Sequence, residues 1–300
     1  MNLGYANLNY ALKKQGIYTN RAIKKKTLEA KGLGFLSELW LKNATDLKTL
    51  LQWNVDNDIK LFRLSADVLP WASKVKYENI PDMEAIKDML AQAGEVATKS
   101  GMRITMHPGQ FNILSSPIDS VVQNSFEDLR VHSELLDFMN QSRSYFNKVN
   151  IHIGATYGDK ESALERWISN YNKLPEAIKS RLTIENDDKA SMYSVLDLME
   201  VHKQTNIPIV FDYHHHKFCT GGLSEQEALE LAISTWPKDI VPIIHYSESK
   251  ALHENNPKLR PQAHSDFINE LPNTYGHTVD CMIESKGKEV ALLEIRKKYL

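Results

Sequence analysis

Eight short apolar or β-branched runs recur along the chain: LGYA (3–6), IKLFRLS (59–65), RITMH (103–107), KVNIHI (148–153), RLTIEN (181–186), PIVFDY (208–213), VPIIHYS (241–247) and TVDCMIES (278–285). Runs of this kind fit strands buried on both faces, and the segments between them carry helical spacing. Met83, Ile86, Met89, Leu90, Ala93, Val96 and Ala97 form one apolar helical face, and Gly101 follows where a C-terminal cap is expected. Leu164, Trp167, Ile168, Tyr171 and Leu174 predict a second such face, and Met192, Val195, Leu196 and Met199 a third. Strand and helix alternating through eight units predict an α/β protein with a parallel sheet closed into a (β/α)8 TIM barrel. No G-x-G-x-x-G or G-x-x-x-x-G-K loop follows any run, which argues against a doubly wound nucleotide-binding sheet. With no low-complexity linker and no short-period repeat, residues 1–300 are expected to form one domain.

Parallel strands of a barrel deliver their C-terminal ends to one face, so the residues there are read together. One of these ends, VFDYHHHK (210–217), leaves an apolar run with an aspartate and three consecutive histidines. The third run ends at His107, the fourth carries His152, the fifth Glu185, the sixth Asp212, the seventh His245 and the eighth Glu284. A single rim histidine or glutamate has an ordinary explanation, in a carbonyl or in water. Six at one mouth set an electrostatic problem that a cation solves, and His with Asp and Glu suits zinc, manganese or iron. His215, three residues beyond Asp212, and His264 in the segment AHSD extend the set, whereas His214 and His216 are expected to point elsewhere. His132, His202, His253 and His277 fall away from the run ends and are read as ordinary surface or core histidines.

Eight candidate ligands, His107, His152, Glu185, Asp212, His215, His245, His264 and Glu284, exceed what one ion takes, so two or three divalent ions are expected. Ions grouped in this way activate water and stabilise the attacking and leaving oxygens of a phosphoester. Metal-dependent phosphodiester hydrolysis follows as the expected chemistry, with Glu185, His245 and Glu284 read as its catalytic residues.

Composition narrows the picture without changing it. The chain has 300 residues, 42% hydrophobic and 25% charged, with a formal net charge of −2, so any binding to phosphates must be local rather than a property of the whole surface. Locally, Lys13, Lys14, Arg21, Lys24, Lys25, Lys26 and Lys31 face one acid, Glu29, in a run read first as a solvated helix face, with a phosphate contact as the alternative. Cys219 and Cys281 stand far apart with no C-x-x-C partner, which excludes a disulfide framework or zinc ribbon. The opening MNLGYANLNYALKKQG has no apolar signal centre and no stretch reaches a membrane span's length, so a soluble cytoplasmic protein with no membrane partner is expected.

The segments LGYANLN, HPGQF (107–111), IHIG (151–154), TIEND (183–187), DYHHH (212–216), IHYS (244–247), AHSD (263–266) and MIESKGKE (282–289) together resemble the UV damage endonuclease family, which is similar in design to the type IV apurinic endonucleases. The resemblance spans nearly the whole chain. It implies a monomeric barrel that acts on damaged double-stranded DNA and nicks the damaged strand immediately 5′ to a UV photoproduct, abasic sites being a further class. The nick would leave a 3′-hydroxyl and a 5′-phosphate. It implies manganese as the ion, with the eight residues above as ligands. It also implies that Gln110 and Phe111 probe the duplex at the lesion and that Tyr5 and Asn9 line a damage pocket, Asn7 being the alternative to Asn9. An inserted side chain of this kind replaces stacking that a distorted site has already partly lost. Phe111 stands where some members have tyrosine, and Ile243 stands where some have a lysine two residues before the seventh-strand histidine. The competing readings are a xylose-isomerase-like metal-dependent sugar isomerase and a non-catalytic damage-binding protein. Five imidazoles, a complete ligand set and the Gln-Phe pair favour the nuclease.

Overall fold

The structure, a computed structural model, describes residues 1–299. All eight predicted strands are present: β1 (Leu3–Ala6), β2 (Leu61–Leu64), β3 (Arg103–Met106), β4 (Val149–Ile151), β5 (Leu182–Glu185), β6 (Ile209–Val210), β7 (Ile243–Tyr246) and β8 (Asp280–Ile283). They pair in parallel in the order β6-β5-β4-β3-β2-β1-β8-β7. A parallel bridge between Asp212 and His245 brings the two ends together, with the His245 amide donating to the Phe211 carbonyl at 2.9 Å. The result is a (β/α)8 TIM barrel whose last closure is made by two of the predicted ligands.

Helices occupy the intervals that the periodicity marks. The first predicted face lies on Met83–Ser100, which ends at Gly101 in the left-handed region, φ 68°. The second lies on Lys160–Asn172, started by Asp159, whose side chain accepts from the Ser162 amide. The third, Val195–Thr205, begins with a capping box between Ser194 and Asp197, but its buried face is Val195, Leu198 and Val201. Leu196, expected inside, is exposed, because the cap fixes the helix start and hence the phase of the face. Among the described residues, no helix is long and apolar enough to cross a membrane.

Strand alternation sorts side chains between two layers. Outward residues such as Phe62, Ile104, Met106, Ile151 and Ile184 join the main core between sheet and helices. Inward residues Ala6, Leu61, Val210, Ile243 and Met282 gather with Trp236 in a smaller separate cluster. The rest of the interior is polar. Arg103 is buried near the N-terminal end of the strands, donating to the carbonyls of Phe146 (2.7 Å), Val241 (2.6 Å) and Tyr145 (3.0 Å) and pairing with Asp280 at 3.3 Å. Nearer the opposite end lie Lys148, Asn150, Thr183, Glu185 and His245, all buried.

Candidate metal centre

Each strand end fixes one donor. Counting inward positions by twos from Arg103 through Thr105 reaches His107, and from Lys148 through Asn150 reaches His152. The same parity turns Glu185, Asp212, His245 and Glu284 into the barrel mouth. His215 comes from a single helical turn, Tyr213–His216, which Asp212 caps by accepting the His215 amide at 2.8 Å. His264 enters from the loop after β7, fastened by a bridge to Ser249.

These donors converge on Glu185. Its Oε2 lies 3.2 Å from His107 Nε2 and 3.0 Å from His245 Nδ1, and its Oε1 lies 3.3 Å from His215 Nδ1. His245 Nδ1 is also 3.2 Å from Glu284 Oε1. Ring centroids of His107 and His152 are 5.4 Å apart, those of His152 and His215 5.6 Å, and those of His215 and His264 6.3 Å. Two groups, His107 with His152 and Glu185, and Glu185 with Asp212 and His245, each hold donor atoms within 4.8 Å of one another. All eight residues expected as ligands are thus brought to one mouth, and Glu185 belongs to both groups.

The donor set fits metal ions. Glu185 Oε1, Asp212 Oδ2 and the Nδ1 atoms of His152 and His245 are buried with no aligned hydrogen-bond partner, although other donor atoms lie close to three of them. Buried polar atoms left this way cost free energy unless something else satisfies them, and a cation between them does so. Three imidazoles are already held at Nδ1: His107 by the Pro108 carbonyl at 3.0 Å, His215 by that of Asn186 at 2.9 Å beside Glu185 Oε1, and His264 by Ser247 Oγ at 2.7 Å. Contacts of that kind orient imidazole ligands and leave Nε2 as the donor atom.

The electrostatics are correspondingly polarised. Burial alone would raise the Glu185 carboxyl, but His245 and His152 with hydrogen bonds from His107 and His215 hold it well below the usual carboxylate range. Burial, opposed by His215 and reinforced by Glu185 and Glu284, pushes Asp212 up to about 7. For His152 burial is outweighed by Glu185 and Asp187, which raise it to about 9, while burial and Lys148 bring His245 down to about 4. Neighbours driven to opposite extremes mark a functional site rather than a packed core.

The mouth opens into a cleft of about 860 Å³. Gln110 and Phe111 line it directly after the His107-Pro108-Gly109 turn, and Phe111 is 79% exposed. Tyr5 and Asn9 do not reach it. Register pairs Gly4 with Leu61, Tyr5 with Phe62 and Ala6 with Arg63, so Tyr5 shares the outward face of Phe62. Its ring packs edge-on against Phe62 at 4.9 Å and its hydroxyl donates to Asn54 Oδ1 at 2.7 Å. Asn9 is buried as well, donating to the Tyr5 hydroxyl at 3.0 Å and capping the turn Tyr10–Lys13. The residue of this segment that lines the cleft is Asn7, in the left-handed region at φ 71°.

Four participants escaped the reading of strand ends. Arg63, the inward rim residue of β2, contacts Glu284 through Nη1. Asn150 donates to Glu185 Oε2, and Asp187 lies 3.3 Å from His152 Nδ1. Lys148, wholly buried, sets Nζ 3.4 Å from His245 Nε2. Ile243 packs in the inner apolar cluster, so an amine approaches the seventh-strand histidine from β4 instead. The signal for all four was period-two alternation. The basic run divides: Arg21 folds back onto Asp46 at 2.7 Å, while Lys13, Lys14, Lys24, Lys25, Lys26 and Lys31 stay exposed.

Residues 1–300 match the family model described as UV-endonuclease UvdE. An Acanthamoeba polyphaga mimivirus protein that carries the name "Putative UV-damage endonuclease" is 34% identical over 307 residues, covering 99% of this chain and 91% of its own length. The UV-damage endonuclease of Schizosaccharomyces pombe is 36% identical over 307 residues, and there the chain spans 50% of the relative's length. Among solved structures, SacUVDE superposes with a TM-score of 0.86 at 34% identity, covering 99% of this chain and 97% of that one.

Proposed function

The chain belongs to the UV-endonuclease UvdE family, and from that premise we propose that it is a metal-dependent DNA repair endonuclease that nicks the damaged strand immediately 5′ to a UV photoproduct. The products are a 3′-hydroxyl and a 5′-phosphate, and residues 1–300 act as one domain and as a monomer. The observation that carries the reading is the shared position of Glu185, whose two oxygens face His107, His245 and His215 at the floor of an open cleft.

His107, His152, Glu185, Asp212, His215, His245, His264 and Glu284 would hold two or three divalent ions, with manganese as the proposed metal. Ions in such a cluster supply an activated water and charge stabilisation at the attacking and leaving oxygens of an in-line displacement. The chain's own groups set up that chemistry. Pro108, Asn186 and Ser247 fix imidazole orientation, Asn150 steadies Glu185, and Arg63 holds Glu284 while keeping a positive charge at the cleft floor. Gln110 and Phe111 enter the duplex at the lesion, where stacking is already weakened. Asn7, rather than the buried Asn9, meets the nucleotides nearest the centre.

Elemental analysis of the purified protein, paired with incision of UV-irradiated duplex before and after chelation, tests the metal part of this reading. Bound ions together with activity that is lost on chelation and regained with manganese are expected. A metal-free protein that still incises in chelator contradicts it.

A further inference from the structure

Tyr157 lines the same cleft as Phe111 from the neighbouring loop, between β4 and the helix Lys160–Asn172, and it is 44% exposed. Its backbone sits at φ 53°, the left-handed region that an aromatic residue occupies only at a cost. Among the described residues its hydroxyl takes no hydrogen bond, and the charged group facing its ring is the Arg166 guanidinium at 5.8 Å. The turn Thr156–Asp159, closed by the Asp159 amide donating to the Thr156 carbonyl at 3.0 Å, needs both central residues in the left-handed region, and Gly158 follows at φ 81°.

The loop that presents Tyr157 is fastened to the loop that presents Phe111. Ser115 Oγ donates to the Ala155 carbonyl at 3.0 Å, and Arg166 Nε donates to the Ser115 carbonyl at 2.9 Å. Gly154, at φ 98°, lies so close to Ile113 that a Cβ there would come within 2.9 Å of Ile113 Cγ2. Two exposed aromatic rings therefore line one cleft from adjacent, mutually braced loops. Backbone conformations of this kind gather at ligand clamps, and here one sets an exposed ring into the cleft.

We propose that Tyr157 is a second DNA-stacking residue, receiving the face of a nucleobase displaced from the duplex at the lesion that Phe111 probes. The proposal rests on the DNA-repair reading above. Aromatic side chains bind unstacked bases through their π faces without needing a particular sequence. Phe111 would fill the gap in the stack, and Tyr157 would hold what leaves it.

Binding by the protein as purified to duplexes whose scissile phosphodiester is replaced by a non-hydrolysable linkage tests this on Tyr157→Asn and Tyr157→Phe. Asparagine tolerates the left-handed backbone, so Tyr157→Asn should keep or raise the melting temperature. It should nevertheless weaken binding to a duplex carrying one photoproduct about tenfold, with undamaged duplex unaffected. Tyr157→Phe should bind like the wild type. In duplexes with 2-aminopurine opposite or beside the lesion, wild-type protein should change the fluorescence and Tyr157→Asn should lose that change in at least one. Unaltered affinity and fluorescence in Tyr157→Asn, or equal loss on damaged and undamaged duplex, overturns the role of Tyr157 while wild-type incision leaves the parent reading standing. Wild-type protein that incises no photoproduct overturns both.

Discussion

Glu185 is 1% exposed, faces three imidazoles and accepts from Asn150, so its negative charge has little water to support it. Glu185→Gln keeps the shape and removes the charge that both donor groups share. It should lower the metal content by at least one ion per chain and reduce incision by at least about a hundredfold, since even partners behind a ligand are worth 10–100-fold. Full metal content with full activity would show that Glu185 is no ligand. Asn9 and Tyr5 lead to a different outcome. Asn9→Ala removes a helix cap and should cost about 1 kcal/mol of stability. Tyr5→Phe strands Asn54 Oδ1 in the core and should cost about 1–3 kcal/mol. Both should leave the ratio of damaged to undamaged duplex affinity unchanged, and a selective loss on damaged duplex at normal stability would restore them to the cleft. The parity that turns Tyr5 outward was present in LGYA, but choosing the phase requires knowing that Tyr5 pairs with Phe62 and not with Arg63.

At the scale of elements, function gathers in the loops that leave the strands. The turn after His107 presents Gln110 and Phe111 clear of the barrel, so replacing both with alanine should weaken damaged-duplex binding by roughly 1–3 kcal/mol without altering metal content. Loss of metal in that variant would mean the turn is part of the centre's scaffold. The segment after β1 carries Lys13 and Lys14, and Lys24, Lys25 and Lys26 follow at the start of the helix Lys25–Asp56, all exposed. Neutralising Lys13, Lys14, Lys25 and Lys26 should flatten the dependence of log K on log salt by about 0.9 for each phosphate that the protein no longer neutralises, measured by titration at several salt concentrations. An unchanged slope would make the run a solvated face. Strands were legible from their apolar runs, and their chemistry because six of the eight carry a histidine or carboxylate at the end. The phase of the helix Val195–Thr205 was not, because the Ser194–Asp197 cap and not the methionines decides where it starts. Lys148, Asn150 and Asp187 were hidden for a related reason: they lie next to or beneath ligands at inward positions, and an isolated lysine or asparagine carries no signal until its register is known.

For the whole molecule, the centre doubles as the closure of the barrel. Asp212 and His245 bridge the two ends of the sheet, and both face Glu185 within one donor group. Ions held there as proposed would stabilise the folded chain by mass action, about 2.7 kcal/mol at a free concentration one hundred times the dissociation constant. Dialysis against chelator should therefore lower the melting temperature, and manganese should restore it. An unchanged melting temperature would mean that the barrel closes without the ions. The central claim, metal-dependent incision on the 5′ side of a photoproduct, is tested most directly with an end-labelled duplex carrying one cyclobutane dimer, incubated with the protein and manganese. One cut immediately 5′ to the dimer, leaving a 3′ end that a polymerase extends, is the predicted result. A β-elimination product, an adduct trapped by borohydride, or an intact strand alongside isomerisation of an aldose would contradict the account.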